Sequence, residues 1–272
     1  MKNILLLCLL ISACTTSRPI ASEKLPEAEV KGPQQSAIVN AKLFASVYQQ
    51  TAAEYKALCI QAFNMARMRL DQSLQAASSK PRAIITDIDE TILDNSRYAL
   101  HMAALGLDYE PLSWSQWIER SEADTIAGAA SFLKYAASKG VEVFYITNRD
   151  EKDRNGTQKN LEVYNLPNSD ARHLVMRQGT SSKEQRRKEI AAVFNVVLYL
   201  GDNLADFDAA FDKKTQEERD HITIKYSQEF GNRFIIIPNP VYGDWESVLY
   251  QYNNNFTLAE KDSIIRASGK TY

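Results

Sequence analysis

Short apolar runs alternate with amphipathic segments along the chain after Pro81. Runs rich in Val, Ile, Phe or Tyr predict strands at residues 82–86, 142–147, 173–176, 196–200 and 234–237. Apolar positions at helical spacing predict helices at residues 127–138, 152–165 and 183–193, and a weaker helical pattern begins at Ala205. This alternation predicts an α/β fold with a mainly parallel sheet flanked by helices.

Two further segments, one before the first strand and one after it, predict a smaller, mostly helical cap. Residues 43–74 have apolar positions at helical spacing without Pro or Gly, which predicts one long or two short amphipathic helices. Residues 95–122 form an aromatic, loop-rich insertion, which we interpret as a lid over the carboxyl edge of the sheet. Within a domain at residues 41–272, the predicted cap is residues 41–80 and 95–122, and the predicted core is residues 82–94 and 123–250.

The N-terminus has the pattern of an export signal. Lys2 precedes an apolar stretch at residues 4–11, and the small residues Ser12 and Ala13 come before Cys14. One interpretation is an ordinary signal peptide that is cleaved near Ala13. However, residues 11–14 also resemble the lipobox of bacterial lipoproteins, which implies removal of residues 1–13 and lipidation of Cys14.

A lipid on Cys14 would anchor the protein to a membrane, because more than one acyl chain makes membrane binding stable. Thr15, rather than Asp, follows this cysteine, and in Gram-negative lipoproteins this pattern implies sorting to the outer membrane of the cell envelope. Residues 14–40 are rich in Ser, Thr, Pro, Lys, Glu and Gln, and we interpret them as the lipidated N-terminus and a flexible tether.

Composition narrows the remaining classes of protein. The 272 residues carry a formal charge of −2 and no polybasic run, which argues against a nucleic-acid polymer as partner. If Cys8 is removed and Cys14 is acylated, only Cys59 remains, and no internal disulfide can form. Cys59 lies among apolar residues at helical spacing, so a buried small side chain is favoured over a reactive thiol. The helical and aromatic surface of residues 41–75 makes a homodimer a further hypothesis.

Polar residues follow three of the predicted strands directly. Asp87 and Asp89 come after the first strand, and two later strands run into Thr147-Asn148 and Gly201-Asp202. Because parallel strand ends meet at one edge of a sheet, where ligands bind, we expect these side chains to cluster. The predicted cluster is Asp87, Asp89, Thr147, Asn148, Lys183, Asp202 and Asp206.

This set of side chains suits phosphoryl transfer, which needs a metal and positive donors around the phosphate oxygens. A carboxylate can serve as the nucleophile and form an aspartyl-phosphate. Carboxylates and a backbone carbonyl are ligands that Mg²⁺ accepts while it bridges to a substrate phosphate. Lys183 offsets the local negative charge and can pair with the phosphate, and Thr147 and Asn148 supply neutral donors.

The same residues match, in order, the four motifs of the haloacid-dehalogenase-like phosphatases. The motifs are Asp87-x-Asp89-x-Thr91, Thr147-Asn148, Lys183 and Gly201-Asp202-x-x-x-Asp206. Longer matches at residues 87–95, 146–149 and 201–207 resemble the class C acid phosphatases, which are bacterial surface lipoproteins of the lipoprotein e type. The resemblance implies a haloacid-dehalogenase-like Rossmannoid sheet, a Mg²⁺ cofactor and a small phosphomonoester as substrate.

The resemblance also implies a role for each residue of the cluster. Asp87 attacks phosphorus, and Asp89 protonates the leaving oxygen and then activates water. Mg²⁺ is held by Asp87, the Asp89 backbone carbonyl and Asp202, while Asp206 ligates through water or orients its neighbours. The residues implied to bind phosphate are Thr147, Asn148 and Lys183.

Substrate choice also follows from the resemblance. Better-known members of the family hydrolyse nucleoside 5′-monophosphates, including nicotinamide mononucleotide, with the base held between aromatic side chains. Trp114 and Tyr242 match the positions expected for that sandwich, and both are also compatible with core or lid packing.

The predicted protein is thus a lipid-anchored, Mg²⁺-dependent acid phosphatase. Two alternatives stay open: a phosphotransferase of the same fold, and a surface lipoprotein that binds nucleotide or haem without turnover.

Simpler structural roles are compatible with three of these segments. Thr147-Asn148 would also serve as the N-cap of the following helix. Lys183 stands in a charged run, and such runs are usually solvated helix faces. Asp94 has the sequence context of a turn or cap residue.

Overall fold

A five-stranded parallel sheet forms the centre of the fold in the computed structural model, which describes residues 36–271. The strands in chain order are β1 (Arg82–Thr86), β2 (Leu93–Asp94), β3 (Asp124–Thr125), β4 (Glu142–Ile146), β5 (Leu174–Val175), β6 (Asn195–Gly201) and β7 (Phe234–Ile236). The sheet order is β5-β4-β1-β6-β7, and β2 and β3 form a separate antiparallel ribbon. The predicted α/β fold with a mainly parallel sheet is confirmed.

Helices pack around this sheet. They are α1 (Ala37–Thr51), α2 (Ala53–Gln75), α3 (Ser96–Ala104), α4 (Pro111–Arg120), α5 (Ala129–Ser138), α6 (Arg154–Val163), α7 (Glu184–Val193), α8 (Gln216–Lys225), α9 (Asp244–Ser247) and α10 (Leu258–Ser268). Short 3₁₀ turns lie at Glu151–Asp153, Leu204–Asp206, Ala209–Phe211 and Val248–Tyr250. The segment from Ala205, where the sequence shows a weak helical pattern, forms 3₁₀ turns rather than a regular helix. Its Asp206 and Asp208 carboxylates accept hydrogen bonds from nearby backbone N–H groups, which favours turns over a helix.

The central strand β1 is buried on both faces, which explains its continuous apolar run. Ile84 packs in one cluster with Val143 and Leu198, its partners on the two neighbouring strands. Ala83 and Ile85 point to the opposite face, where α7 contributes Ile190. Carboxyl groups placed just beyond β1 therefore sit at the edge of a rigid, close-packed sheet.

The cap is smaller than predicted because α2 packs directly on the sheet. Phe63 and Cys59 of α2 are buried in the same cluster as Ile84 of β1, so α2 is a flanking helix of the core. Burial also raises the pKa of the Cys59 thiol to about 11, in agreement with a structural rather than a reactive cysteine. The insertion at residues 95–122 contains α3 and α4 and is mainly helical rather than loop-rich.

The folded domain includes residues 37–40, which are predicted from the sequence to belong to the tether. Helix α1 starts at Ala37, and the backbone N–H groups of Ala37 and Ile38 donate to the Asp262 carboxylate of α10 at 2.7 and 2.9 Å. Ile38 is buried beside Tyr250, so the end of the predicted tether is part of the domain. The signal segment and Cys14 lie outside the described residues. No helix among residues 36–271 combines the length and apolarity needed to cross a membrane.

Asp108 forms ion pairs with the first and the last helix of the described chain. Its carboxylate accepts from Lys42 of α1 at 2.6 Å and from Lys261 of α10 at 2.9 Å. Burial alone would raise the pKa of Asp108, but the two ammonium groups outweigh burial and lower its pKa to about 2. The folded state therefore favours the charged carboxylate more strongly than the unfolded chain does.

We expect Asp108→Asn to lower the free energy of unfolding by about 2 kcal/mol at neutral pH. Because the pKa is lowered in the folded state, this stabilisation is present above the unfolded pKa of 3.8 and disappears as the pH falls towards 2. Urea unfolding of both proteins across that range measures the difference, with the exposed Asp220→Asn as the control. An equal difference at acid and neutral pH would contradict the ion-pair explanation.

Candidate active site

The strand ends bring the polar side chains to one edge of the sheet. Asp87 follows β1, and its backbone N–H donates to the Leu200 carbonyl of β6 at 3.0 Å. Thr147 follows β4, and its N–H donates to the Val175 carbonyl of β5 at 3.1 Å. Asp202 follows β6. Backbone hydrogen bonds thus continue the sheet by one residue into the site and fix the direction of these side chains.

Lys183 is the buried cation of the site. Its ammonium group donates to Asp87 Oδ1 and lies 2.7 Å from Asp206 Oδ1, and only 5% of the residue is exposed. A solvated helix face is therefore excluded for Lys183. The loop before α7 places this lysine between two carboxylates that are far apart in sequence, so it neutralises charge that the sheet edge concentrates.

Three carboxylates converge close enough to share one cation. Single carboxylate oxygens of Asp87, Asp202 and Asp206 all lie within 4.8 Å of one another. Asp202 is oriented by its neighbours, because Thr91 Oγ1 donates to Oδ1 at 3.1 Å and Asn239 Nδ2 donates to Oδ2 at 2.8 Å. Thr91 belongs to the first motif, whereas nothing in the sequence singled out Asn239.

The electrostatics of this group fit a divalent metal. Burial is the main cause that raises the pKa of Asp87, with the Asp206 and Asp89 charges adding to it and Lys183 opposing it. Burial likewise raises the pKa of Asp202 well above the ordinary value. More positive charge beside these two carboxylates would favour their ionised forms. An all-oxygen donor set with uncompensated negative charge is what Mg²⁺ and similar hard cations prefer.

Close packing holds Asp206 in place. A Cβ at Gly201 would lie 2.4 Å from the Asp206 Cβ, so only glycine fits at the end of β6. Asp206 Oδ2 also accepts from the backbone N–H of Asn203 at 3.0 Å. From α7, Arg187 donates to the carbonyls of Ala205 and Asp206 at 2.8 and 2.9 Å. Asp206 is therefore fixed from both its side chain and its backbone.

A buried arginine also supports the residues after β4. Arg186 donates to the Thr147 carbonyl at 2.7 Å and to Asn148 Oδ1 at 2.8 Å. Asn148 itself is exposed, whereas Thr147 is fully buried and its Oγ1 accepts from the Arg149 N–H at 3.1 Å. With Asn148 Oδ1 committed to Arg186, its amide Nδ2 is the group left to donate to an anion.

Asp89 stands apart from the other carboxylates. Its carboxylate accepts from Arg149 Nη2 at 2.7 Å and Nε at 3.1 Å, and from Asn95 Nδ2 at 2.9 Å. Sequence reasoning did not assign a role to Arg149 or Asn95. The available signal was their position, since Arg149 follows Thr147-Asn148 directly and Asn95 ends the longer match at residues 87–95. Asp87 and Asp89 are thus paired with different cations despite their spacing of two residues.

The two predicted stacking residues lie beside the partners of Asp89. The guanidinium carbon of Arg149 is 5.7 Å from the centroid of the half-buried Trp114 ring, which also packs on Tyr98 at 5.0 Å. The Tyr242 hydroxyl donates to the buried Glu90 carboxylate, next to Asp89 in the chain. Trp114 therefore packs beside a partner of Asp89, whereas Tyr242 is hydrogen-bonded to the residue that follows Asp89.

Comparison with known proteins identifies the family. The sequence model of the HAD superfamily, subfamily IIIB (acid phosphatase), matches residues 12–245. The chain belongs to this family. Two structures of the class C acid phosphatase from Bacillus anthracis, the second with tungstate bound, are each 39% identical to it, with TM-scores of 0.84 and 0.83. They cover 86% of this chain, which covers 99% and 98% of theirs.

A more distant relative is a plant acid phosphatase. Acid phosphatase 1 of Solanum lycopersicum is 27% identical over 131 residues, which is 45% of this chain. The match spans 50% of the length of that protein. Together, the family match and the Bacillus structures confirm the predicted class C, HAD-like family and support a phosphomonoesterase.

We expect Lys183→Met to lower the free energy of unfolding by about 3–5 kcal/mol in metal-free buffer, because it leaves two buried carboxylates without their cation. Lys188→Met is the matched control, since Lys188 lies in the first half of α7, close to Lys183 in sequence, and its side chain is 68% exposed. Urea unfolding of the three proteins measures the difference. Equal and small effects of the two substitutions would contradict the role of Lys183 as the buried counter-charge.

Proposed function

We propose that this chain hydrolyses small phosphomonoesters through an aspartyl-phosphate on Asp87. The observation that carries the proposal is the buried bridge of Lys183 between Asp87 and Asp206, beside Asp202. A carboxylate held against a buried cation at a sheet edge is a positioned nucleophile with charge compensation for a phosphate. Membership of the acid phosphatase family supports the same class of reaction.

Two carboxylates divide the proposed chemistry. In the first step, a carboxylate oxygen of Asp87 attacks phosphorus, the bond from phosphorus to the ester oxygen breaks, and Asp89 gives its proton to the leaving alcohol. In the second step, Asp89 takes a proton from water, the water oxygen attacks phosphorus, and the bond to Asp87 breaks to release inorganic phosphate. The surroundings suit this division, because Asp87 is paired with Lys183 and Asp89 with Arg149.

We propose Mg²⁺ as the cofactor. Asp87, Asp202 and the backbone carbonyl of Asp89 would hold the ion, and Asp206 would bind through water or orient Lys183. When bound, the ion would neutralise charge on the phosphate oxygens. The raised pKa values of the buried Asp87 and Asp202 carboxylates support a need for this added positive charge. EDTA should abolish activity and Mg²⁺ should restore it, and indifference to chelation would contradict the proposal.

The proposed phosphate site combines Thr147, Asn148 and Lys183. The Bacillus anthracis relative has been solved with tungstate bound, and tungstate is a tetrahedral oxyanion like phosphate. Arg186 supports such a site here, because it fixes the Thr147 carbonyl and the Asn148 side chain before any anion arrives. Donors held in advance cost little reorganisation when the phosphate binds.

We propose nucleoside 5′-monophosphates, including nicotinamide mononucleotide, as substrates. The positions of the two rings support the proposal. Trp114 packs beside Arg149, which binds Asp89, and Tyr242 is hydrogen-bonded to Glu90, which follows Asp89 in the chain. Stacking of a base on an aromatic ring contributes about 1–3 kcal/mol. A panel of phosphomonoesters should show a strong preference for 5′-nucleotides over sugar phosphates. Equal rates for both classes would contradict the aromatic sandwich.

We also propose that the protein is anchored by lipid on Cys14 to the outer membrane of the cell envelope. The support is the lipobox-like sequence at residues 11–14. Cys14→Ser should release the protein into the soluble fraction, whereas unchanged membrane fractionation would contradict the anchor.

The proposal of a homodimer rests on the apolar side chains that α1 and α2 expose, of which Phe44 is 74% exposed. Sedimentation of the domain from residue 36 onwards tests it, and a monomer at all concentrations would contradict it.

We expect Asp87→Asn to retain the fold but to lower kcat for p-nitrophenyl phosphate by at least about a thousandfold, since the amide cannot form the phosphoryl bond. Initial rates at saturating substrate measure kcat, and circular dichroism establishes the fold. Asp71→Asn is the matched control, because Asp71 pairs with Tyr135 on α5 and has no contact with the site. Near-normal turnover by Asp87→Asn would contradict the assignment of Asp87 as the nucleophile.

A further inference from the structure

Both side chains that hold Asp89 contact the cap helix α4. Asp89 Oδ1 accepts from Arg149 Nη2 at 2.7 Å and from Asn95 Nδ2 at 2.9 Å. The Arg149 guanidinium carbon is 5.7 Å from the Trp114 ring centroid, and Trp117 Nε1 donates to Asn95 Oδ1 at 2.9 Å. Trp114 and Trp117 are three residues apart on α4, so they share one face of the helix.

We propose that Asn95 is a positioning residue for Asp89, and that Trp117 of the cap helix sets the orientation of its amide. The inference rests on the proposed function, because it concerns the proton that Asp89 carries. Asn95 and Trp117 make no contact with the reacting atoms in this scheme and act through Asp89.

The orientation of the Asn95 amide follows from its partners. An indole N–H is only a donor, so the amide oxygen of Asn95 must face Trp117 and the amide NH₂ must face the Asp89 carboxylate. Asn95 is 1% exposed, and water therefore does not compete for these bonds. The same NH₂ group lies 3.4 Å from Glu90 Oε2, so it faces two carboxylates. Without the indole N–H, the Asn95 amide oxygen loses its hydrogen bond, and the amide is held less firmly against Asp89.

Glu90 fixes the backbone of Asn95 in the same arrangement. The Asn95 N–H donates to Glu90 Oε1 at 2.7 Å, and Glu90 Oε2 accepts from the Tyr242 hydroxyl. Glu90 has a φ of +56°, a left-handed conformation that is uncommon outside glycine. The hydrogen bonds of its own carboxylate maintain this turn, which keeps Asn95 within reach of Asp89.

These bonds distinguish the two oxygens of Asp89. Oδ1 accepts from Arg149 Nη2 and Asn95 Nδ2 and shares the Arg149 Nε–H, so its lone pairs are occupied. Among the described residues, Oδ2 receives only the shared Nε–H at 3.1 Å. In the proposed mechanism, Oδ2 is therefore the oxygen available to exchange a proton with the leaving group and with water, and Asn95 is one of the groups that orient it.

A change in the orientation of the Asp89 carboxyl group has a specific chemical consequence. Proton donation to the leaving oxygen matters most when the leaving group is a basic alkoxide, and least when it is a stable phenolate such as p-nitrophenolate. A misaligned Asp89 should therefore slow alkyl phosphates far more than p-nitrophenyl phosphate. A merely structural role for Asn95 and Trp117 would slow both classes of ester alike.

The test uses Trp117→Phe, which keeps an aromatic ring on α4 but removes the N–H donor together with the five-membered ring of the indole. We measure kcat/KM for an alkyl phosphate without a base and for aryl phosphates of graded leaving-group pKa. Trp117→Phe should lower kcat/KM about tenfold for the alkyl ester and less than about twofold for p-nitrophenyl phosphate, which steepens the leaving-group dependence. Asn95→Ser is a second variant that should show the same pattern. The inference can therefore be tested even if one of the two variants does not fold.

Asn160→Ser is the matched control. Asn160 is a buried asparagine with two hydrogen bonds, to the backbone N–H and carbonyl of Ala123, and none to Asp89 or its partners. It should change both classes of ester by the same factor. An unchanged leaving-group dependence in Trp117→Phe and Asn95→Ser would overturn the inference. Normal turnover by Asp87→Asn is a different result, which would remove the proposed function itself and this inference with it.

Discussion

The site depends on how the fold compensates negative charge that it buries at one edge of a sheet. Carboxylate oxygens of Asp87, Asp202 and Asp206 lie within 4.8 Å of one another, and burial favours the neutral forms of Asp87 and Asp202. Lys183 opposes this by placing one buried ammonium between Asp87 and Asp206. One cation among three ionised carboxylates leaves a net negative charge, and such a charge is what a site for a divalent metal requires.

Buried arginines position the groups around this charge cluster. Arg187 binds the carbonyls of the loop that carries Asp206, and Arg186 binds the Thr147 carbonyl and the Asn148 side chain. Arg149 binds the Asp89 carboxylate. Each guanidinium therefore holds a different part of the site in place before substrate arrives, so less reorganisation is needed during the reaction. The two sequence neighbours Arg186 and Arg187 serve the two sides of the site from one helix, α7.

The sequence predicts the parts that obey periodic or positional rules. The strand β1 and the location of Asp87 follow from an apolar run that ends in carboxylates, and strand-end convergence predicts that Asp202 lies nearby. The packing of α2 on the sheet was not predictable, since amphipathic spacing shows that a face is buried but not what covers it. The Arg149–Asp89 pair and the Asn239–Asp202 bond depend on side-chain geometry between distant residues, which no local pattern encodes.

Covalent attachment of phosphate to Asp87 is the step on which the proposed function depends. With p-nitrophenyl phosphate, whose leaving group needs little protonation, Asp89→Asn should slow water activation more than it slows formation of the intermediate, which therefore accumulates. Acid quenching of this variant during turnover, followed by mass spectrometry of its peptides, measures where phosphate is attached. One phosphoryl group on Asp87 is the predicted result. A phosphoryl group on another residue, or release of product with no phosphorylated protein at any time, would contradict it.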